Sequence, residues 1–213
     1  MKNYNPRILI VSVGHTAAGK STLLEYLSNK LDATLISEGK IKRSLLNREY
    51  TSEDSLDESL RDAGYKIAID AAIENMNNND ITILDASFHK QYRRLWIYDA
   101  IKRINHPYLV IWLYIHCDNI EKVKERILKR AQDPFKHANN QADKYSIFEH
   151  IIKSFDPISL SAFNADTIVY EIETSENTLQ LYDQNITYKN MGRSNFCVKL
   201  VNIIKEYLLG YKV

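Results

Sequence analysis

A short loop between an apolar run and a helical pattern constrains the fold of this chain more than any other feature. The segment GHTAAGKS, from Gly14 to Ser21, matches the pattern G-x-x-x-x-G-K-[ST] at every fixed position. An apolar run over residues 7–13 precedes it, and a helical pattern begins at Lys20. In such a unit, small side chains let backbone N–H groups converge on phosphate oxygens, and the helix N-terminus adds partial positive charge. The segment therefore predicts a P-loop that binds a nucleoside triphosphate.

The loop and the first turn of the helix after it are the expected nucleotide contacts. Lys20 should reach the β- and γ-phosphates and stabilise charge during phosphoryl transfer, and the Ser21 hydroxyl should coordinate Mg²⁺. The predicted nucleotide-binding residues are Gly14, His15, Thr16, Ala17, Ala18, Gly19, Lys20, Ser21 and Thr22.

Apolar runs typical of buried strands alternate with helical patterns along the rest of the chain. The predicted strands cover residues 7–13, 33–37, 81–84, 108–115 and 166–173, and the predicted helices after the P-loop helix cover 55–76, 90–104, 119–131 and 194–209. The apolar face of the 55–76 helix is predicted at Leu56, Leu60, Ala63, Ile67 and Ala71. Asp118 is predicted as the N-cap of the 119–131 helix. This alternation indicates an α/β fold with a doubly wound parallel sheet.

Length and composition fit one domain in a reducing compartment. A chain of 213 residues is expected to form a single domain over 1–213, with a lid at about 131–155 and a C-terminal loop or hairpin and helix over 181–213. Its two cysteines are too few for a disulfide scaffold, and its N-terminus does not resemble a signal peptide. No stretch approaches the roughly 18 apolar residues that a membrane span needs. We therefore expect a cytoplasmic protein without a membrane partner.

The net charge argues against a general affinity for nucleic acid. A value of +1 gives no basic field over the whole surface, although a local basic groove stays possible. The oligomeric state is left open by the sequence.

Two classes of P-loop protein have features that this sequence does not match well. The tetrapeptide N-K-L-D at residues 29–32 resembles a guanine-reading motif, but it lies at the end of the P-loop helix rather than after a late strand. An ABC or AAA-type ATPase is disfavoured by the chain length and by the lack of an acidic pair closing a strand. A nucleotide kinase-like protein remains.

Asp85 is the next informative residue. It ends the apolar strand at 81–84, where P-loop proteins place the carboxylate that holds the Mg²⁺ shell. A helix cap or turn residue is the alternative. His15 and His89 flank these two segments, so either ring is a candidate to line the site.

The combination resembles the P-loop kinases grouped around the polynucleotide 5′-kinase domain, the zeta-toxin kinases and chloramphenicol phosphotransferase, which are small ATP-binding kinases with an AAA domain. The shared pattern is a P-loop, a strand ending in D-A-[ST]-[NF] with a downstream arginine, and a helix with R-x-x-x-R before a lid. Here these parts are residues 14–21, residues 85–88 with Arg93 or Arg94, and Arg126 with Arg130. The resemblance covers about residues 8–172 and implies a sheet of five parallel strands in the order 2-3-1-4-5, with a small helical lid.

The resemblance also implies ATP and Mg²⁺ as cofactors and transfer of the γ-phosphate to an acceptor. Arg126 and Arg130 lie four residues apart, on one helical face, and are expected to clamp the transferring phosphoryl group as the lid closes. A solvated helix end is the alternative. The strand at 166–173 and its exit loop are expected to contact the adenine.

One position departs from the family pattern. Many such kinases have an aspartate after the second strand that takes the proton of an acceptor hydroxyl, and this chain has Gly39 there with Glu38 beside it. Glu38 could supply the base after a shift of one residue. Alternatively the acceptor is already a phosphate, or the activity has been lost. Lys40, Lys42 and Arg43 follow, and either bind an anionic acceptor or face solvent.

The acceptor is expected between residues 37–47, the 55–76 helix and the lid. A small molecule or nucleoside-like acceptor is expected, and a nucleic-acid 5′-hydroxyl remains an alternative that needs a basic channel towards Asp85. A protein that binds nucleotide and closes on a partner without transferring phosphate is the competing class.

Overall fold

The computed structural model describes residues 6–46, 58–132, 145–159, 166–185 and 191–210. A central sheet has the order β2-β3-β1-β4-β5-β6. Its strands are β1 (Arg7–Val13), β2 (Thr34–Ser37), β3 (Ile81–Asp85), β4 (Tyr108–His116), β5 (Thr167–Glu173) and β6 (Thr178–Asn185). The helices are α1 (Lys20–Leu31), α2 (Glu38–Leu46), α3 (Glu58–Asn78), α4 (Gln91–Ile101), α5 (Ile120–Ala131), α6 (Tyr145–Lys153) and α7 (Met191–Gly210).

The first five strands are parallel and follow the predicted order, so the expected α/β P-loop fold is confirmed. The expected strand count is wrong, because β6 adds a sixth strand that runs antiparallel to β5. Residues 181–185, expected in a loop or hairpin, form the end of this strand. Leu181 and Tyr182 are exposed on β6, so it lacks the continuous apolar run by which the buried strands were recognised.

Among the described residues, two large apolar clusters cover the two faces of the sheet, and a smaller one lies beneath α5 and α6. Successive residues of a strand point to opposite faces, and β1 shows this clearly. Leu9 and Val11 pack with α3 and α4, whereas Ile8 and Ile10 pack with α1 and α7. The fold is therefore a three-layer sandwich, and the carboxyl ends of its parallel strands meet at one edge.

Two local predictions are wrong. Helix α3 buries Tyr65, Ala68, Ile69, Ala72, Ile73 and Met76, whereas Ile67, from the predicted apolar face, is exposed. Leu56 lies outside the described residues. The N-cap of α5 is Asn119, whose side chain accepts a hydrogen bond from the backbone N–H of Lys122, and Asp118 instead pairs with His116. Asn and Asp cap helices equally well, so residue type could not separate these neighbours.

The predicted lid is described in part. Helix α6 lies within it, and residues 133–144 fall outside the described residues. None of the described helices combines the length and the apolar character that crossing a bilayer requires.

Candidate active site

The P-loop joins the end of β1 to α1 and has the backbone conformation that its glycines permit. Gly14 has a φ of 145° and Gly19 a φ of 93°. A Cβ on Gly14 would lie 1.9 Å from the carbonyl oxygen of Ile115, and the Gly14 N–H donates to the Ser87 carbonyl at 3.0 Å. The loop therefore begins wedged between the ends of β3 and β4, where only glycine fits.

Lys20 folds back over the loop. Its buried ammonium donates a hydrogen bond to the His15 carbonyl at 2.6 Å. Burial lowers the pKa of Lys20 to about 8, an effect that nearby Asp85 opposes and nearby Arg130 strengthens. The charges of Asp85 and Arg130 therefore both act on the Lys20 ammonium.

The two predicted metal-binding side chains, Ser21 and Asp85, are in contact at the edge of the sheet. The Ser21 hydroxyl donates to Asp85 Oδ2 at 2.8 Å, and the Ser12 hydroxyl lies 3.3 Å from Oδ1. Ser12 also donates to the carbonyl of Ala86 at 2.9 Å, which fixes the segment after β3. The structure therefore brings Ser21 and Asp85 together across residues that are far apart in sequence.

The His15 side chain points away from the loop towards the lid. Its Nε2 accepts a hydrogen bond from the Cys117 N–H at 3.0 Å, and its Nδ1 lies 2.7 Å from the Thr16 carbonyl. The ring packs edge-on against Phe148 of α6, with centroids 5.0 Å apart. Burial lowers the pKa of His15 to about 4. The ring is therefore occupied by contacts with Thr16, Cys117 and Phe148.

The arginine pair of α5 lines a pocket behind the P-loop. Arg126 Nη1 donates to the Ala17 carbonyl at 3.1 Å and to the Thr174 hydroxyl at 3.0 Å. That hydroxyl donates to the Ala18 carbonyl at 3.0 Å. The pocket has a volume of about 340 Å³, and its lining includes Gly19, Thr22, Arg126, Arg130, Thr174 and Asn177.

The wall of this pocket formed by the β5–β6 turn is held by Glu173. Its carboxylate accepts backbone N–H bonds from Asp118 at 2.9 Å and from Ser175 at 3.0 Å, and also from Glu176. Burial alone would raise the pKa of Glu173, but the hydrogen bonds from Ser175, Asp118 and Glu176 outweigh it and lower the pKa. His116, Asp118 and Glu173 lie close together, yet these bonds already use the Glu173 carboxylate.

Glu38 is buried at the start of α2, beside Asp85 at the edge of the sheet. It directly follows Ser37, which pairs with Asp85 in the β2–β3 register. Its Oε1 lies 3.1 Å from the Lys42 ammonium but accepts no hydrogen bond. A Cβ on Gly64 would lie 3.2 Å from this oxygen, so the glycine leaves room for the carboxylate. The structure thus brings Glu38, Asp85 and the P-loop to one edge.

Arg93 and Arg94, which follow β3, contact different parts of the fold. Arg93 is buried, its Nε donates to Asp62 at 2.9 Å, and its guanidinium lies over the Tyr65 ring at 4.6 Å. Arg94 is also buried, and its Nη2 donates to the carbonyls of Asp156 at 2.7 Å and Pro157 at 3.0 Å. Arg93 therefore faces α3, and Arg94 ties the segment after α6 to α4.

Sequence reasoning missed several of these partners. Thr174, Tyr65, Asp62, Cys117 and Phe148 belong to no motif, and each reaches the site through the packing of distant segments. The one usable signal is position, since Thr174 directly follows a parallel strand and parallel strands end at the same edge.

The chain matches the AAA domain family over residues 9–149. It belongs to this family. The match confirms the expected resemblance to the small P-loop kinases with an AAA domain. No curated protein sequence matches the chain.

Several solved structures share the fold. A candidate kinase from Chloroflexus aurantiacus is 18% identical, with a TM-score of 0.55 over 93% of this chain and 97% of its own. Chaetomium thermophilum Kti12 in complex with ADP-AlF3 is 19% identical, with a TM-score of 0.54 over 92% and 98%. A fungal RNA kinase is 12% identical, with a TM-score of 0.54 over 99% and 92%. A sugar kinase from Janibacter sp. and the fungal RNA kinase are named for different acceptors, so the shared fold leaves the acceptor of this chain open.

Proposed function

We propose that this protein is an ATP-dependent phosphotransferase that moves the γ-phosphate of ATP to a hydroxyl group of a small molecule. The observation that carries the proposal is the convergence of Lys20, the Ser21–Asp85 pair and buried Glu38 at the carboxyl edge of one sheet. Open α/β sheets bind their ligands at this edge. The proposal takes the chain as one domain over residues 1–213.

The nucleotide would lie along the P-loop, with its base in the 340 Å³ pocket beside Arg126 and Thr174. The position of Arg126 changes its expected role. Its guanidinium is bonded to the Ala17 carbonyl and to Thr174, so Arg126 supports the wall of the pocket. Arg130 is the better candidate to stabilise the transferring group, because its charge acts on Lys20.

Ser21 of α1 and Asp85 at the end of β3 offer oxygen ligands that suit Mg²⁺. A serine hydroxyl and a carboxylate are hard donors, and Ser21 and Asp85 already lie 2.8 Å apart. When bound there, the metal would neutralise charge on the phosphates and orient them. Ser12, which lies against the other oxygen of Asp85, would keep that carboxylate in place.

Glu38 is the proposed general base. The acceptor oxygen would form a bond to Pγ, the bond between Pγ and the bridging oxygen of ADP would break, and the hydroxyl proton would go to Glu38. Glu38 is buried at this edge, and its Oε1 lies 3.1 Å from the Lys42 ammonium. Lys20 and Arg130 would stabilise the charge on the γ-phosphoryl oxygens.

The competing function is a nucleotide-dependent binding protein that transfers no phosphate. The pairing of Glu38 with Lys42 at 3.1 Å favours it, because the lysine contacts the oxygen that would take the acceptor proton. Gly39 stands where the related kinases have an aspartate.

The deciding experiment follows ATP turnover over a panel of sugars, nucleosides, antibiotics and 5′-hydroxyl oligonucleotides. Each small acceptor should be paired with its carboxylate or phosphate analogue. We expect one acceptor class to accelerate turnover, and Lys20→Ala to abolish ATP binding. Lys30→Ala, which removes an exposed lysine of the same helix, is the matched control. Intact ATP binding without acceleration by any class would favour the binding protein.

A further inference from the structure

On the acceptor side, Tyr65 links the proposed base to a buried arginine. A Cβ on Gly64, the residue before Tyr65, would lie 3.2 Å from Glu38 Oε1, and the Arg93 guanidinium lies 4.6 Å from the centre of the Tyr65 ring. The Tyr65 ring contacts the Phe88 ring edge-on at 5.1 Å, and Phe88 lies three residues after Asp85. Arg93 therefore belongs to the same corner of the molecule as Glu38 and Asp85.

The Arg93 guanidinium is held by two carboxylates of α3. Asp62 accepts from its Nε at 2.9 Å, and Glu58 lies 3.5 Å from its Nη2. The Tyr92 hydroxyl lies within 3.0 Å of Glu58 and 3.1 Å of Asp62, and the Tyr92 ring lies 5.2 Å from the guanidinium. Carboxylates and aromatic faces thus enclose a cation that is only 3% exposed.

The second cation beside Glu38 is neutralised in the same way. Lys42 makes its ion pair with Glu38 itself, and its side chain packs against the notch at Gly64. Among the described residues, a phosphate or carboxylate that bound Arg93 would have to displace Asp62, and one that bound Lys42 would have to displace Glu38. Displacing a partner from a buried ion pair leaves a charge without compensation.

Resting on the proposed function, we infer that the acceptor is an uncharged, hydroxyl-bearing small molecule. Its reacting hydroxyl would meet Glu38, and its other hydroxyls would lie beside the partly exposed Asp62 and Tyr92 side chains. Asp62 is then a specificity residue that keeps Arg93 from binding anions. A phosphate-rich acceptor such as an oligonucleotide is disfavoured by the same pairing.

The test uses inorganic phosphate as the anionic probe, with the P-loop filled by the nonhydrolysable nucleotide AMPPNP and Mg²⁺. Calorimetry first measures AMPPNP binding and then titrates phosphate into the saturated protein. We expect the dissociation constant of wild type for phosphate to lie above about 10 mM, because its cations are already paired. The dissociation constant of Asp62→Asn should be at least about tenfold lower than this limit. The added Arg93→Met change should remove that gain.

Asp70→Asn is the matched control, because it breaks an exposed ion pair with Arg103 on the same helix and should leave wild-type behaviour. Glu58→Gln, at an exposed position, provides a milder variant if Asp62→Asn unfolds, and should produce a smaller gain.

Phosphate binding to AMPPNP-loaded wild type that Arg93→Met abolishes would overturn the inference. So would the failure of both Asp62→Asn and Glu58→Gln to gain a site. Failure of AMPPNP itself to bind would instead refute the proposed function, and the first titration separates the two.

Discussion

The Ser21 hydroxyl donates a hydrogen bond to Asp85 Oδ2 at 2.8 Å, joining the P-loop helix to the end of β3. This contact brings together a hydroxyl and a carboxylate separated by 64 residues. It places oxygen donors on both sides of the site where Mg²⁺ is proposed.

Asp85→Asn should remove the benefit of Mg²⁺ for ATP binding, because an amide is a poorer ligand and carries no charge. We expect the gain in affinity on adding Mg²⁺ to fall by at least about tenfold, with little change in the metal-free affinity. Fluorescence titration of a labelled ATP analogue with and without Mg²⁺ measures this. Asp80→Asn, at the other end of β3, is the control. An unchanged response to Mg²⁺ in Asp85→Asn would exclude the metal role.

ATP affinity should fall as the pH rises above about 8, the pKa of Lys20 in the free protein. Bound phosphates favour charged Lys20 and raise its pKa, so binding above this pH takes up a proton. The affinity should be nearly constant below pH 7 and fall by up to about tenfold per pH unit above 8. Calorimetry in buffers of different ionisation enthalpy checks the proton uptake. Constant affinity from pH 7 to 9.5 would contradict the prediction.

His15 should make the protein less stable in mild acid. Its pKa is about 4 in the folded chain, below the ordinary value of 6.5, so the unfolded chain binds the proton more tightly. Stability is therefore lost as the pH falls from about 6.5 towards 4, by about 2 kcal/mol at pH 5 for this group. His15→Gln should reduce the difference in unfolding free energy between pH 7 and pH 5 by that amount. Urea melts measure it, and exposed His106→Gln should leave the difference unchanged.

Gly14→Ala should destabilise the fold. The added Cβ would lie 1.9 Å from the Ile115 carbonyl oxygen, and the φ of 145° disfavours any side chain. We expect a loss of at least about 2 kcal/mol of unfolding free energy. Chemical denaturation measures it, with Gly210→Ala as the control, since nothing lies within 4 Å of that position. Equal stability of the two variants would show that the loop start is not constrained.

Much of the fold could be predicted because the buried parallel strands carry continuous apolar runs. The five parallel strands were predicted from these runs, and their order from the resemblance to P-loop kinases. Strand β6 was missed because a half-exposed edge strand has no such run. The face of α3 was misplaced because Ala71 and Ile67 fit a helical spacing as well as the residues that are buried. Only the sheet against which a helix packs decides which face is covered.

The site could be predicted where a motif carries it and not where packing creates it. The P-loop and Asp85 were found from local patterns and Glu38 from the family resemblance, and the structure brings them to one edge. Asp62 and Thr174 could not be found, because their partners Arg93 and Arg126 lie 31 and 48 residues away. The different contacts of Arg93 with α3 and of Arg94 with the segment after α6 likewise arise from packing, because the two residues lie on different faces of α4.

The most direct test of the account is transfer of radiolabelled γ-phosphate from ATP to an acceptor by wild type and Glu38→Gln. Loss of the base should lower the transfer rate by about 10²-fold or more with ATP affinity unchanged, and Glu25→Gln, an exposed position in α1, should match wild type. The account predicts label in an uncharged acceptor that depends on Glu38. Transfer by Glu38→Gln at the wild-type rate would contradict it.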